Sequence, residues 1–182
     1  MARRRDALAA AAEMVLAVEK QCAAIESAVG TGGILKVKDG TGNVIPGEVE
    51  FTVDVRAPDD ERRHEAEEAV LRQLERIAKR REVAVEPIRG PHDVAGVPCT
   101  PWLQDRLAES ITRCVGHQAP RLSSGAGHDA MMLAQITDVG MMFIRCGAGG
   151  VSHNPAETVT AEDAGLSAAA LLDFLQHFAP HA

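Results

Sequence analysis

The order of predicted helices and strands indicates a mixed α+β and α/β protein made of two parts. The N-terminal half reads as helix, strand, strand, helix, strand, which is a ferredoxin-like βαββαβ unit without its first strand. A stretch rich in helix and strand breakers, from Pro87 to Pro98, marks a boundary. The residues after it contain too little predicted sheet for a complete α/β domain. We therefore predict two domains, residues 1–90 and residues 91–182, both incomplete.

The first helix is predicted from about residue 4 to residue 28. Apolar side chains recur at steps of three and four residues, and alanine is abundant, which favours helix. A glycine-rich loop, Gly30-Thr31-Gly32-Gly33, is expected to follow it. The expected buried stripe consists of Leu8, Ala12, Val15, Val18, Cys22 and Ile25.

Two strands joined by a turn are predicted next. Residues 34–38 form the first, and the turn cluster from Asp39 to Asn43 ends it. Between Glu48 and Arg56 apolar and polar side chains alternate, which is the period of a strand with one buried face. The pattern predicts a hairpin whose sheet is covered on one side only.

A second helix is predicted from about residue 58 to Arg81. Acidic side chains fill its first turn and basic side chains its last, which matches the helix dipole. The segment from Val83 to Glu86 is predicted as a strand. The apolar stripe of the helix is expected to be Ala66, Val70, Leu74 and Ile77.

The second part is predicted to hold three helices and one strand. A helix lies near residues 101–115, a glycine turn leads into a short helix, and residues 139–144 form the strand. The last helix begins at Thr160, whose hydroxyl is expected to cap it together with Asp163. Its expected apolar face is Leu166, Ala169, Leu172, Leu175 and Phe178.

Composition and charge argue against several classes of partner. The formal net charge is −7, whereas nucleic acids and anionic membranes favour basic patches. No apolar run reaches the roughly 18 residues of a membrane span, and no signal peptide is recognised. The four cysteines show no CxxC spacing. We therefore expect a cytoplasmic protein with reduced thiols, the alternative being a secreted domain with two disulfides.

Two histidines lie in glycine-flanked loops on either side of the last predicted strand. His153 follows Gly149-Gly150 and precedes Asn154-Pro155, so the proline stiffens the loop that displays the imidazole. A rigid imidazole suits a metal ligand. His128 follows Gly125-Ala126-Gly127. Each cluster alone is more typical of a surface histidine or a tight turn, but the pair in one segment favours a functional site.

Five motifs extend over nearly the whole chain. They are Arg4-Arg5-Asp6-Ala7-Leu8, Gly42-Asn43-Val44-Ile45-Pro46-Gly47, Asp54-Val55-Arg56-Ala57-Pro58-Asp59, Ser124-Gly125-Ala126-Gly127-His128-Asp129-Ala130 and Ser152-His153-Asn154-Pro155-Ala156-Glu157. In this order and spacing they resemble the C-terminal part of the di-metal amidohydrolases, which include allantoate amidohydrolase, N-carbamoyl-amino-acid hydrolase and β-ureidopropionase. The resemblance implies that residues 1–90 are the lid, or dimerisation, domain of that family. It implies that residues 91–182 are the C-terminal segment of its α/β metallohydrolase catalytic domain.

The resemblance also implies roles for residues of the second part. His153 matches the metal ligand of the family's C-terminal loop, suited to Zn²⁺ or Mn²⁺, and Glu157 or a backbone carbonyl is expected to orient its other ring nitrogen. His128 is expected to be catalytic, with Asp129 either orienting it or capping the following helix. The backbone N–H groups of Gly125, Ala126 and Gly127 are expected to line the substrate pocket.

Two residues of the first part are expected to bind substrate. Arg56 matches the arginine that binds the substrate carboxylate, because a guanidinium fork fits a carboxylate bidentately. Its alternative is a surface ion pair with Asp54 or Asp59. Asn43 matches an asparagine that reaches the substrate, although its position alone indicates only a turn.

The resemblance points to hydrolysis of a non-peptide C–N bond in a ureido or carbamoyl compound. The segment Phe143-Ile144-Arg145-Cys146 resembles the allantoate branch, which leaves N-carbamoyl-L-amino-acid hydrolase as the nearest alternative activity. The complete family site holds two metal ions, yet His153 is the only well-matched ligand here. We therefore expect the N-terminal half with the other ligands to be absent or supplied in trans, and this chain alone to be inactive. A homodimer through the lid is expected, and a non-catalytic dimerisation or interaction module is the alternative to an enzyme.

Overall fold

The computed structural model describes residues 4–90 and 93–179, which contain five α-helices, one short 3-10 helix (Ala148–Gly150) and four short strands. The helices are α1 (Ala7–Ala23), α2 (Asp60–Arg81), α3 (Pro101–Val115), α4 (Ala130–Leu133) and α5 (Ala161–Gln176). The strands are β1 (Val29–Thr31), β2 (Leu35–Val37), β3 (Val49–Phe51) and β4 (Asp54–Arg56). The predicted mixed class is confirmed. Residue contacts divide the chain into two units, Met1–Gly96 and Val97–Ala182.

Helix α1 begins at a side-chain cap and ends earlier than predicted. The carboxylate of Asp6 accepts a hydrogen bond from the backbone N–H of Ala9 at 3.0 Å, which satisfies a free donor of the first turn. The helix ends at Ala23, and Ser27 has a φ of 61°, which a right-handed helix does not contain. The buried residues are Ala10, Ala11, Met14, Ala17, Val18 and Cys22. The predicted stripe was wrong in part, since Ala12 is exposed; apolar residues surround so much of this helix that they do not mark its inner face.

The predicted hairpin forms, but it is divided into two short ladders. Strand β2 pairs antiparallel with β3, with Leu35 opposite Phe51, and β1 pairs antiparallel with β4, with Val29 opposite Arg56. The predicted continuous strand from Glu48 to Arg56 is therefore broken between β3 and β4. The residues predicted as a glycine loop contribute β1, because their backbone pairs with β4 although their composition is typical of a turn.

The break between the two ladders is itself hydrogen-bonded. The backbone N–H of Thr52 donates to the carbonyl of Ile34, and the N–H of Ile34 donates to the hydroxyl of Thr52, both at 3.0 Å. A side-chain hydroxyl thus replaces one ladder acceptor, and the hairpin continues through an irregular step.

Helix α2 matches its prediction. It begins after Asp59, whose side chain accepts from the N–H of Arg62 at 2.9 Å, and it ends at Glu82, which has a left-handed φ of 53°. All four residues of the predicted stripe are buried, together with Ala78. They pack against α1 to form the core of this unit, and Phe51 and Val55 cover part of it.

The predicted strand from Val83 to Glu86 was wrong. Val83 and Val85 pack against the core of α1 and α2, as the alternating pattern predicts. The segment nevertheless pairs with no strand in the described part of the chain. A strand requires a hydrogen-bonded neighbour, and the side-chain pattern cannot show whether one is available.

The second unit is organised around the packing of α3 against α5. The ring of Phe178 lies 5.9 Å from that of Trp102 and 5.5 Å from that of Phe174, measured between centroids. The guanidinium of Arg113 on α3 donates to Asp173 on α5 from Nε at 3.0 Å and from Nη2 at 2.6 Å. Apolar ring contacts and an ion pair therefore hold the two helices together.

Helix α5 confirms its predicted cap but not its predicted buried face. Thr160 Oγ1 accepts from the N–H of Asp163 at 3.0 Å and donates to the carboxylate of Asp163 at 2.6 Å. Leu172 and Leu175 are 56% and 61% exposed, while Ala170 is buried. The helix carries apolar side chains on more than one side, so the sequence did not distinguish the side that packs on α3.

The predicted strand at residues 139–144 was also wrong. The N–H of Val139 donates to the hydroxyl of Thr100 at 3.1 Å, and its carbonyl accepts from the N–H of Thr100 at 2.8 Å. Beyond this anchor the segment forms no strand pairing among the described residues. Its apolar residues Phe143 and Ile144 are about half exposed. Across the described residues, no helix is long and apolar enough to cross a membrane.

Candidate functional site

The candidate site residues are divided between the two units. Asn43 and Arg56 belong to the first unit, and the loop from Gly125 to His128 and His153 belong to the second. Each group is described within its own unit.

Arg56 lies on β4 and is held by a carboxylate two residues earlier. Its Nε donates to Asp54 Oδ1 at 2.7 Å and its Nη2 donates to Asp54 Oδ2 at 2.8 Å, which is a bidentate pair. Positions i and i+2 of a strand share a face, so both side chains point to the exposed side of the hairpin. The hydrogen bond with Arg56 lowers the pKa of Asp54 and raises that of Arg56. The sequence analysis treated Asp54 only as an alternative partner, although the Asp-x-Arg spacing on a strand already places the two together.

Asn43 lies in the turn between β2 and β3. The N–H of Val44 donates to the carbonyl of Thr41 at 3.4 Å, which closes the turn around it. The side chain of Asn43 is exposed. The carbonyl of Pro46, further along this turn, accepts from the N–H of Ala7 at 3.2 Å and ties the turn to the start of α1. The turn position expected from the sequence is therefore found, while a substrate contact of Asn43 stays a prediction.

The loop before α4 is shaped by a serine. The hydroxyl of Ser124 donates to the carbonyl of Ala126 at 3.1 Å and accepts from its N–H at 3.4 Å, so this N–H is already engaged. A methyl group added at Gly125 would meet nothing within 4 Å, and at Gly127 it would meet only the sulfur of Met131 at 4.0 Å. Packing within the described structure therefore does not require these glycines, which leaves close approach of a ligand as a reason for them.

His128 is oriented by the backbone of α4 rather than by Asp129. Its Nδ1 accepts a hydrogen bond from the N–H of Ala130 at 3.0 Å. A nitrogen that accepts carries no proton, so in the neutral ring the proton lies on Nε2, which is left as a donor. Asp129 makes no capping hydrogen bond with its side chain and none with His128. Both expected roles of Asp129 were wrong, because His128 itself occupies the free donor at the start of the helix.

His153 lies in a tight turn with an unusual backbone conformation. Its φ is 56°, in the left-handed region, and its N–H donates to Glu157 Oε2 at 3.0 Å. Asn154 Oδ1 accepts from the N–H of Ala156 at 2.9 Å, so the Asn-Pro step forms a side-chain-closed turn. Glu157 therefore fixes the backbone of His153, and the expectation that it orients the ring was wrong. The imidazole is exposed.

The loop that carries His153 is closed at its base. The N–H of Gly147 donates to the carbonyl of Thr158 at 2.8 Å, and a methyl group at Gly147 would lie 2.6 Å from the hydroxyl of Thr158. Arg145, just before the loop, donates from Nε to Asp163 at 2.6 Å at the start of α5. Hydrogen bonds from Thr160 and from Arg145 lower the pKa of Asp163. The loop is thus tied at both ends to the beginning of α5.

The described residues do not by themselves form a site for two metal ions. Among them, no group of three or more His, Cys, Asp or Glu side chains is arranged to hold a metal. A zinc site needs at least three protein ligands, and His153 is one.

Comparison with known sequences identifies the family of this chain. Residues 5–177 match peptidase family M20/M25/M40. The match covers nearly the whole sequence, and the chain belongs to this family. Members of the family generally depend on two metal ions.

Relatives with printed activities are similar over almost all of this chain. It is 34% identical to allantoate deiminase of Arabidopsis thaliana, an alignment that covers 97% of this chain and 38% of the relative. It is 39% identical to N-carbamoyl-L-amino acid amidohydrolase of Geobacillus stearothermophilus, covering 94% of this chain and 41% of the relative. These names agree with the family that the sequence motifs resemble.

A solved structure shares the fold. An amidase of the hydantoinase/carbamoylase family from Burkholderia multivorans superposes with a TM-score of 0.82 at 35% identity. The superposition covers 96% of this chain and 42% of that one. The chain therefore spans about two fifths of the length of the relatives it matches.

Proposed function

We propose that this chain is part of a hydrolase that cleaves a non-peptide C–N bond in a ureido or carbamoyl carboxylate, most like allantoate. The observation that carries the proposal is the similarity of nearly the whole chain to relatives named allantoate deiminase and N-carbamoyl-L-amino acid amidohydrolase. N-carbamoyl-L-amino acids are the second candidate substrates, because the relative named N-carbamoyl-L-amino acid amidohydrolase is 39% identical to this chain.

The chain's own groups suit binding and proton donation. Arg56, which is paired with Asp54, carries a guanidinium fork whose shape suits a substrate carboxylate. The Nε2–H of His128 provides a neutral donor for a carbonyl oxygen that gains negative charge, since Nδ1 is occupied by Ala130. The backbone around Gly125, Ala126 and Gly127 provides a surface that a ligand can approach closely, and Asn43 provides an exposed amide.

His153 contributes one metal ligand in this proposal. Its left-handed backbone conformation and the hydrogen bond from its N–H to Glu157 fix the backbone position from which the imidazole extends. The ion is Zn²⁺ or Mn²⁺, both of which accept imidazole nitrogen. Two ions, when bound, activate water and polarise a carbonyl. The other ligands come from the part of the relatives outside the shared two fifths, either in the same polypeptide or in a partner.

Two features of the structure support such a partner. The segments Val83–Glu86 and 140–146 have the apolar residues of strands but form no ladder among the described residues. The outer side of α5 exposes Leu171, Leu172 and Leu175. Unpaired backbone and exposed apolar side chains are the features that a sheet from another polypeptide would cover. A homodimer through the first unit is the other proposed assembly.

The test is metal content and allantoate hydrolysis by the purified chain with Mn²⁺ or Zn²⁺ added. Little bound metal and no ammonia release by the chain alone, with turnover after addition of a candidate N-terminal polypeptide, is the expected result. Two equivalents of metal and turnover by the chain alone would contradict the need for a partner. The same assay with an N-carbamoyl-L-amino acid separates the two substrate classes.

A non-catalytic interaction module is the alternative function. It is favoured by the absence of a complete metal-ligand group among the described residues. A stable dimer that binds no carbamoyl compound and gives no turnover with any candidate partner would establish this alternative.

A further inference from the structure

We propose that Asp54 is an internal competitor for Arg56, so that it sets the strength with which this arginine binds a carboxylate ligand. The inference rests on the proposed function, in which Arg56 binds the substrate carboxylate. It adds a specificity-determining residue, Asp54, which the substrate must displace or tolerate.

The geometry of the pair carries the proposal. Asp54 occupies Nε and Nη2 of Arg56 with its two oxygens, at 2.7 and 2.8 Å. This is the same fork-to-fork contact that a substrate carboxylate would make. A ligand that uses this edge of the guanidinium must displace Asp54, and a ligand that uses another edge places its charge close to a second carboxylate.

The residues opposite this pair on the neighbouring strand are uncharged. The residue opposite Arg56 on β1 is Val29, and the residue opposite Asp54 is Thr31, so neither cross-strand neighbour brings a charge. The side chains of Arg56 and Asp54 are 55% and 51% exposed. An exposed pair of this kind is held weakly enough that a ligand with further contacts can replace it.

The consequence is selection against simple anions. A carboxylate that contacts Arg56 only through its own two oxygens gains little binding free energy, because it replaces an equivalent contact with Asp54. A carboxylate attached to a ureido or carbamoyl group can add contacts elsewhere and so overcome the competition. Asp54 thereby converts a general anion-binding arginine into one that requires a larger ligand.

The test is titration of the whole chain with N-carbamoylglycine while the arginine Nε–H signals are followed by NMR. Asp54→Asn keeps the shape and removes the charge, and we expect it to bind the probe more tightly, by up to about fivefold. Glu48→Gln is the matched control: Glu48 pairs with Lys38 at 2.8 Å on the same hairpin and does not bond Arg56. It is expected to leave the affinity unchanged.

Arg56→Ala distinguishes the carboxylate-binding role of Arg56 from the competitor role of Asp54. If Arg56→Ala leaves the affinity unchanged, or if the probe binds to no variant, Arg56 is not the carboxylate site and that part of the proposed function fails. If Arg56→Ala abolishes binding but Asp54→Asn binds no more tightly than the natural chain, the competitor role fails alone. Weaker binding by Asp54→Asn would show that Asp54 positions Arg56. Equal gains in Asp54→Asn and Glu48→Gln would show a general charge effect, and either result overturns the proposal.

Discussion

His153 has a left-handed backbone conformation, with a φ of 56°. Left-handed conformations cost non-glycine residues roughly 1–2 kcal/mol, and they persist where surrounding bonds enforce them. Here the enforcing bonds are the N–H of His153 to Glu157 and the closed turn at Asn154. A glycine would be more stable at this position, so the imidazole is present here at a cost in backbone strain.

Relief of this strain determines whether replacing His153 by glycine raises or lowers stability. His153→Gly should stabilise the chain by about 0.5–1 kcal/mol, because relief of the left-handed strain exceeds the entropy that glycine adds to the unfolded chain. Urea unfolding of the purified chain measures the change. His117→Gly is the control, since His117 is exposed and is not among the residues with positive φ. It should destabilise slightly, and a His153→Gly variant that behaves in the same way would contradict the strain.

At the scale of elements, Gly30 shows how closely β1 approaches α1. A methyl group at Gly30 would lie 2.3 Å from Cys22 Sγ and 3.0 Å from Val18 Cγ1, both in the buried core. Gly30 was predicted to lie in a loop because glycine clusters are typical of turns. Its actual role is to let a strand lie against a helix.

Gly30→Ala should therefore destabilise the first unit by about 1–3 kcal/mol, the usual cost of overpacking a core. Gly42→Ala is the matched control, since a methyl group there meets nothing within 4 Å. Denaturant midpoints for both variants test the difference. A Gly30→Ala variant as stable as Gly42→Ala would show that β1 does not pack on α1 in this way.

The accuracy of the sequence predictions depended on whether the deciding information was local. Helix α2 and the cap at Thr160 rest on neighbouring residues, and they were found. The strands at Val83–Glu86 and 139–144 need a hydrogen-bonded neighbour that no local pattern reveals. Similarly, the sequence identified His128 and His153 as candidates. The hydrogen bonds from the N–H of Ala130 to the ring of His128 and from the N–H of His153 to Glu157 depend on turn geometry, which the local pattern does not reveal.

The ion pair between α3 and α5 predicts an acid dependence for the second unit. The hydrogen bond from Arg113 holds the pKa of Asp173 below its ordinary value of about 3.9. A lowered folded pKa means that the stabilisation is fully present above that ordinary value and is lost as the pH falls through the folded pKa. Asp173→Asn should thus reduce the melting temperature at neutral pH, and the difference from the natural chain should shrink below about pH 4.

The control for this pH series is Asp105→Asn. Asp105 also lies on α3 and pairs with an arginine, Arg121, at 2.5 Å, but this pair does not join two helices. Melting curves from pH 3 to pH 7 should show a much smaller difference for this variant. A pH-independent difference for Asp173→Asn would mean that packing, not charge, explains its effect.

At the scale of the whole molecule, each unit contains an apolar segment that has no strand partner among the described residues. In the first unit this is Val83–Glu86, and in the second it is 140–146. Within the described residues, the backbone N–H groups of Ala84, Val85 and Glu86 donate no hydrogen bond to the backbone. The relatives that share this fold are more than twice as long, so most of each relative lies outside the shared part.

Hydrogen exchange should reveal these places directly. In the purified chain, amides of Ala84 to Glu86 and of residues 141–144 should exchange near their unprotected rates, while those of α2 should be strongly protected. Mass spectrometry over a range of protein concentrations, with light scattering to give the oligomeric state, checks this expectation.

Concentration-dependent protection confined to Val83–Glu86 would support a homodimer that pairs the first units through this edge. Protection of both segments only when an N-terminal polypeptide is added would support assembly in trans. Strong protection of both segments in a dilute monomer would contradict the unpaired arrangement.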